Sequence, residues 1–225
     1  MRIAHFLCLN LVLFANTPVV RSEIMKKTII RIEASILVAL IICCALNITA
    51  FSKQCDSIRD KMLRMHVIAN SDSEADQALK LKVRDAVLTA GKEIFDGSVT
   101  ADEAEEKITP HIEDLRQTAL QVIKNEGYNY DVKVTVQKEY FATRTYDNSV
   151  TLPAGYYTAV KVIIGEGAGQ NWWCVMFPPM CLPAADAECG ISDVLTDEET
   201  EIVTNTSKYQ FKFKIVEMFE SLFKK

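Results

Sequence analysis

LRMHVIANSDSEADQALKLKVRDAVL, residues 63–88, changes its hydrophobic period in the middle. Leu63, Met65, Val67 and Ala69 alternate with Arg64, His66 and Ile68, the period of two that a strand requires. Asn70, Ser71, Asp72 and Ser73 follow, a run of turn and N-cap residues. From about Glu74 the apolar residues Leu79, Val83, Ala86, Val87, Ala90 and Ile94 recur at spacings of three and four. Lys80, Lys82, Arg84 and Asp85 fall mostly off that stripe. The first unit of the fold is therefore a strand turned directly into an amphipathic helix that ends near Phe95.

Downstream, Asp96-Gly97-Ser98 breaks the chain, and Thr100 with Glu103 makes a capping-box pattern for a short helix. Thr109-Pro110 restarts a longer one, with Ile112, Leu115, Ala119, Val122 and Ile123 on one face and Gly127 past its end. Val132, Val134 and Val136 alternate with Lys133, Thr135 and Gln137, a half-buried strand reaching Tyr140 or Phe141. A loop with Asp147-Asn148 and Pro153 to Gly155 leads to 157–164, a run too apolar for a one-sided strand and predicted at the sheet's centre. Residues 172–177 form another short strand, ended by proline. Asp197, Glu198, Glu199 and Glu201 read as the opening of a solvated helix capped by Thr196, and a C-terminal helix is predicted from about Ser207. The order is strand, helix, helix, three strands, helix. It describes an α+β fold: a single exported domain, helices packed on a small mostly antiparallel sheet, preceded by an N-terminal apolar segment.

That segment decides where the domain works. Residues 1–52 hold five basic groups against two acidic, while the other 173 hold 20 against 28, so the net charge of −5 conceals an acidic body. Such a body disfavours nucleic acid as a partner. The leader contains two apolar runs, each behind basic residues, and the second is the better export signal: Lys26, Lys27 and Arg31, then eleven apolar residues over 36–46. Residues 1–24 are read as an over-extended N-terminus, 25–52 as a signal peptide or membrane anchor, and 53–225 as the exported domain. The charge-free window 34–52 is close to the ~20 residues that span a bilayer. Positive residues before it place the domain outside the cytoplasm. Cys55, Cys174, Cys181 and Cys189 follow the leader, and Cys174 with Cys181, flanking Pro178-Pro179, is the favoured disulfide among three possible pairings.

Unusual residues concentrate in 153–183, which holds both tryptophans, four of six prolines and four of eight glycines. Gly165, Gly167 and Gly169 lack the Gly-Lys-Ser/Thr of a phosphate loop, and Gln170 spoils the dinucleotide fingerprint; a hairpin connection is expected there. A cysteine nucleophile would need a partner histidine, and only His66, mid-strand, and His111, in the first turn of a helix, follow the leader. Asp72, Glu74 and Asp76 lack the glycine and the bidentate glutamate of a calcium loop. No cofactor, metal or small-molecule substrate is implied. What stands out is Trp172-Trp173, whose side chains must point to opposite faces of a strand and which belong to a residue type enriched at interface hot spots.

Two stretches, 63–88 and YTAVKVIIGEGAGQNWWCVMFPPMC at 157–181, resemble the stage II sporulation protein R family of endospore-forming Firmicutes, and the likeness covers roughly residues 55–220. The resemblance implies a signalling protein with no catalytic residues. It would be secreted from the forespore into the intermembrane space, anchored there or released, and would act on a membrane-embedded aspartic protease of the mother cell that processes pro-sigma-E. Expected partner-binding residues are His66, Asn70, Ser71 and Asp72, with Gly165, Gly167, Gly169, Asn171, Trp172, Trp173, Pro178 and Pro179. A secreted hydrolase and an envelope-anchored structural protein are the competing classes.

Overall fold

A computed structural model describes residues 18–94, 96–146, 149–180 and 190–222. Cys8 and the first apolar run, the Asp147-Asn148 loop tip, Cys181, Pro183 and Cys189 lie outside the described residues. The chain divides into two compact units, Met1–Ala50 and Phe51–Lys225. In the first, helix α1 (Pro18–Asp60) carries the apolar segment, and its stretch from Met25 is long and apolar enough to cross a membrane by length and composition.

The second unit is the α+β domain. Strand β1 (Leu63–Ile68) leads through the 70–73 turn to helix α2 (Glu74–Ile94), then α3 (Ala101–Ile108), a 3-10 turn at Thr109–His111 and α4 (Ile112–Asn125). Strands β2 (Val132–Phe141), β3 (Arg144–Tyr146), β4 (Val150–Leu152), β5 (Gly155–Ile164) and β6 (Asn171–Phe177) follow, and α5 (Ile191–Val194), α6 (Asp197–Thr204) and α7 (Thr206–Leu222) close the chain. The main sheet has the order β2-β5-β1-β6. Strands β2 and β5 pair antiparallel, β5 and β1 parallel, and β1 and β6 antiparallel, so the sheet is mostly antiparallel with the 157–164 run inside it.

Period-two alternation divides this sheet into two faces. Leu63, Met65, Val67, Val132, Val134, Val160, Val162 and Ile164 pack under α2, α3 and α4. The opposite face carries Arg64, His66, Phe141, Tyr157, Ala159 and Val175. One end of it is covered by the tail of α1 (Phe51, Cys55, Ile58), Met62 and the C-terminal residues Ile202, Val203, Phe213 and Val216. Phe51, Cys55, Ile58 and Met62 follow helical spacing, which is why the last turns of α1 belong to the domain's core.

Several expectations are corrected. Strands β5 and β6 form no hairpin, because β1 lies between them and the 165–170 connection crosses over its end. A two-stranded β3–β4 unit occupies what reads as a plain loop. Lys80 is buried, its ammonium donating to Gln170 O at 3.0 Å and to Gln77 Oε1 at 2.6 Å. Thr196 does cap α6, but Glu199 of that helix is buried and accepts from Lys61 Nζ at 2.5 Å and Ser57 Oγ at 2.7 Å. A solvated helix start is thus a tie to the end of α1, since a buried carboxylate needs donors.

Candidate functional site

Most of the expected site residues fall into two adjoining groups toward the carboxyl ends of β1 and β5, whereas Pro178 and Pro179 follow Phe177, which pairs with Leu63 at the other end of β1. The first is a clasp between two turns. Asn70 accepts from Glu166 N at 3.0 Å through Oδ1 and donates to Asp76 at 2.9 Å through Nδ2. Ser71 Oγ also donates to Asp76 (2.5 Å), and Asp72 Oδ1 accepts from Gln170 N at 2.7 Å. Backbone bonds Ala168 N to Asn70 O and Gly169 N to Ala69 O complete the join. These donors, Ser71 first and then Asn70, hold the buried Asp76 carboxyl below its usual range. Gly165 and Gly169 are glycines because Asn70 and the Ser71 carbonyl occupy the space a side chain would take. Asn70, Ser71, Asp72 and the glycines therefore face each other, and their polar atoms are used within the fold.

The second group lies on the sheet face beyond the α7 side. His66, 4% exposed, is bonded at both ring nitrogens: Nδ1 to Glu139 Oε2 at 3.0 Å and Nε2 to Asn171 Oδ1 at 2.8 Å. Glu139 Oε1 accepts from Lys161 Nζ at 2.6 Å, so one carboxylate bridges two strands' cations or donors. Trp173 stacks on His66 with centroids 3.6 Å apart, and the Phe141 ring meets Trp173 edge-on at 4.8 Å. Half-buried, Trp173 is held on two sides, and Asn171, two residues before it on the same face of β6, is exposed. A half-buried aromatic ring thus stands among polar side chains toward the carboxyl end of β1.

Beneath it lies Arg64, fully buried, its guanidinium 4.0 Å from the Phe141 ring centroid and 4.8 Å from that of Tyr157. Arg64 donates to Cys174 O at 3.2 Å and to the Tyr146 hydroxyl. Burial lowers its pKa from the ordinary value, against the opposing pull of Tyr146 and Tyr157.

Trp172 points to the other face, 36% exposed, under the Arg84 guanidinium at 4.3 Å. The two tryptophans thus occupy opposite faces as the strand period demands. Pro178 is buried and Pro179 half-buried after β6. Cys174 is disulfide-bonded, and the expected partner Cys181 lies outside the described residues. A sulfur in a disulfide is no thiolate, which removes Cys174 as a nucleophile in this state. Among the described residues, no group of three or more His, Cys, Asp or Glu side chains is placed to hold a metal ion.

Sequence reasoning missed Glu139, Lys161, Phe141 and Arg64. Lys161 left a usable signal: it is the one charge in the 157–164 run, and a lysine in a central strand needs an acid opposite. Glu139 left none: the β2–β5 register sets it opposite Tyr157, and its side chain reaches Lys161 and His66 across strands on the same sheet face.

The described residues make an α+β domain preceded by a helix that is long and apolar enough to cross a membrane by length and composition. The chain belongs to the stage II sporulation protein R family, whose profile matches residues 59–187. It is 39% identical over 127 residues to stage II sporulation protein R of Bacillus subtilis (strain 168), a match covering 55% of each chain, so the similarity spans about half the length of that curated relative. No solved structure matches it.

Proposed function

We propose that the chain is an exported signal of endospore formation. Made in the forespore and carried across its membrane by the apolar segment of α1, it acts in the intermembrane space on a membrane-embedded aspartic protease of the mother cell. The protease then removes the inhibitory pro-sequence of sigma-E. Family membership over 59–187 is the observation that carries this reading, and the apolar helix supports it.

The domain need supply no chemistry for this role. A ligand that binds the protease's active state more tightly than its resting state shifts the population toward activity. Trp173, fixed by His66 and Phe141 and flanked by Asn171, has the features of an interface anchor: a large ring, already ordered, with polar neighbours. The test is complementation of a deletion strain, reading pro-sigma-E cleavage after asymmetric division. Trp173→Ala is expected to export and fold but to lose cleavage. Normal cleavage with that variant would remove the sheet face from the reading, and normal cleavage in the deletion strain itself would remove the function.

A further inference from the structure

The main sheet has two edges, and the sequence treats them differently. Strand β2 forms one edge and carries Lys133 and Lys138 exposed, and charged side chains of this kind keep an edge from pairing with another chain. Strand β6 forms the other, and Asn171–Phe177 contains neither a charge nor a proline. It carries Trp172 and Trp173 instead. A register shift at Leu63–Arg64 and the prolines at 178 and 179 interrupt its far half. The first half, from Asn171 to Trp173, has neither device.

The ladder shows which main-chain groups that half leaves over. Ala69 N donates to Gln170 O at 3.5 Å, so these two residues face each other as a bonded pair. Bonded and non-bonded pairs alternate along an antiparallel ladder. Trp172 with Val67 is then a bonded pair, whereas Asn171 with Ile68 and Trp173 with His66 are not. The N–H and C=O of Asn171 and Trp173 therefore project away from β1. Among the described residues they bond to no other main-chain group. The residues themselves are exposed at 171 and 172 and half-buried at 173.

Such a row of donors and acceptors specifies its ligand, because an extended backbone presents the complementary groups at the matching spacing. A strand laid along it sends alternate side chains to the two faces of the sheet. One would lie against Trp172, 36% exposed beneath the Arg84 guanidinium, and the next beside Trp173 and Asn171. A second copy of β6 is a poor occupant. Pairing two such edges about Trp172 would bring two Arg84 guanidiniums together, and like charges placed opposite weaken a strand pair.

We infer that the partner adds an extended segment of its own to the β6 edge at Asn171–Trp173, with a β-branched or aromatic residue against Trp172. This rests on the protease reading above and says how that partner is held: main-chain bonds supply attachment, and the tryptophans select the sequence. The test labels the full chain isotopically at tryptophan, in detergent micelles, and follows hydrogen exchange at the main-chain amides of Trp172 and Trp173. In the chain alone, Trp173 should exchange about tenfold faster than Trp172, whose amide the ladder holds. Adding the purified mother-cell protease should slow Trp173 about tenfold and leave Trp172 as it was. Co-purification with the protease but unchanged exchange at Trp173 overturns strand addition and leaves the signalling role standing. Slow exchange at Trp173 in the chain alone also overturns it, at every concentration if the edge is already covered, only at high ones if copies pair. Failure of the protease to bind at all removes both.

Discussion

Asn70 fills the space that a side chain at Gly165 would need. An added Cβ there would overlap Asn70 Oδ1, the atom that accepts from Glu166 N, and Gly165 has φ +56°. Gly165→Ala must therefore strain the backbone and displace a hydrogen-bonded amide together. A left-handed alanine alone costs about 1–2 kcal/mol, and losing the clasp adds about as much again. Gly97 is the control: φ is +69° and a Cβ there would meet nothing within 4 Å, so Gly97→Ala carries the backbone cost only. Urea midpoints should rank Gly165→Ala well below Gly97→Ala. Equal midpoints would show that the two turns do not depend on each other.

Glu139 serves His66 and Lys161 with different oxygens, and both contacts are largely shielded from solvent. Glu139→Gln keeps the shape but removes the charge that Lys161 requires, and about 1–3 kcal/mol of stability should go with it. Because the carboxylate also fixes the ring on which Trp173 stacks, the near-ultraviolet circular dichroism of the tryptophans should change as well. Loss of stability with an unchanged tryptophan spectrum would mean that His66 is held without Glu139.

Much of this fold was legible, and the limits have physical causes. The strand–turn–helix of 63–94 and the central place of 157–164 follow from period and apolar content, which are local. The element β3–β4 escaped because three-residue strands carry too little alternation to register. Trp172 and Trp173 could be assigned to opposite faces from the strand period alone. Their partners could not, since His66 meets Trp173 only through the β1–β6 register. The glycines read as turn residues, but only the crossover over β1 shows that Gly165 makes room for the Asn70 side chain and Gly169 for the Ser71 carbonyl. Glu199 looked solvated because its donors, Ser57 and Lys61, come from the other end of the chain.

Glu199 gives the domain an acid limit. Burial alone would raise its pKa, but Lys61, Ser57 and Thr196 N outweigh burial and draw it down to about 2 from 4.5. A folded value below the unfolded one means that the stabilisation is complete above about pH 4.5 and is lost as pH falls toward 2. Chemical denaturation between those pH values should show stability falling by up to about 3 kcal/mol from this group. Glu199→Gln should flatten that part of the profile and leave the variant less stable at neutral pH. An unchanged slope would place the acid-sensitive carboxyl elsewhere.

Arg64 rests on ring faces. Its guanidinium lies against Phe141 and Tyr157 and donates to Cys174 O and the Tyr146 hydroxyl; among the described residues it makes no ion pair and Nη1 has no hydrogen-bond acceptor. A planar cation can stack and donate along its edge at once, which an ammonium cannot. Arg64→Lys should therefore keep the burial penalty of a charge while losing both stacking and one donor, destabilising the domain by about 2–4 kcal/mol. Arg64→Met removes the charge and keeps an apolar stem against Phe141, so its loss should be the smaller of the two. Thermal unfolding of the pair decides the point. If lysine proves the better substitute, the positive charge itself is what the aromatic cage holds, and the planar geometry is incidental.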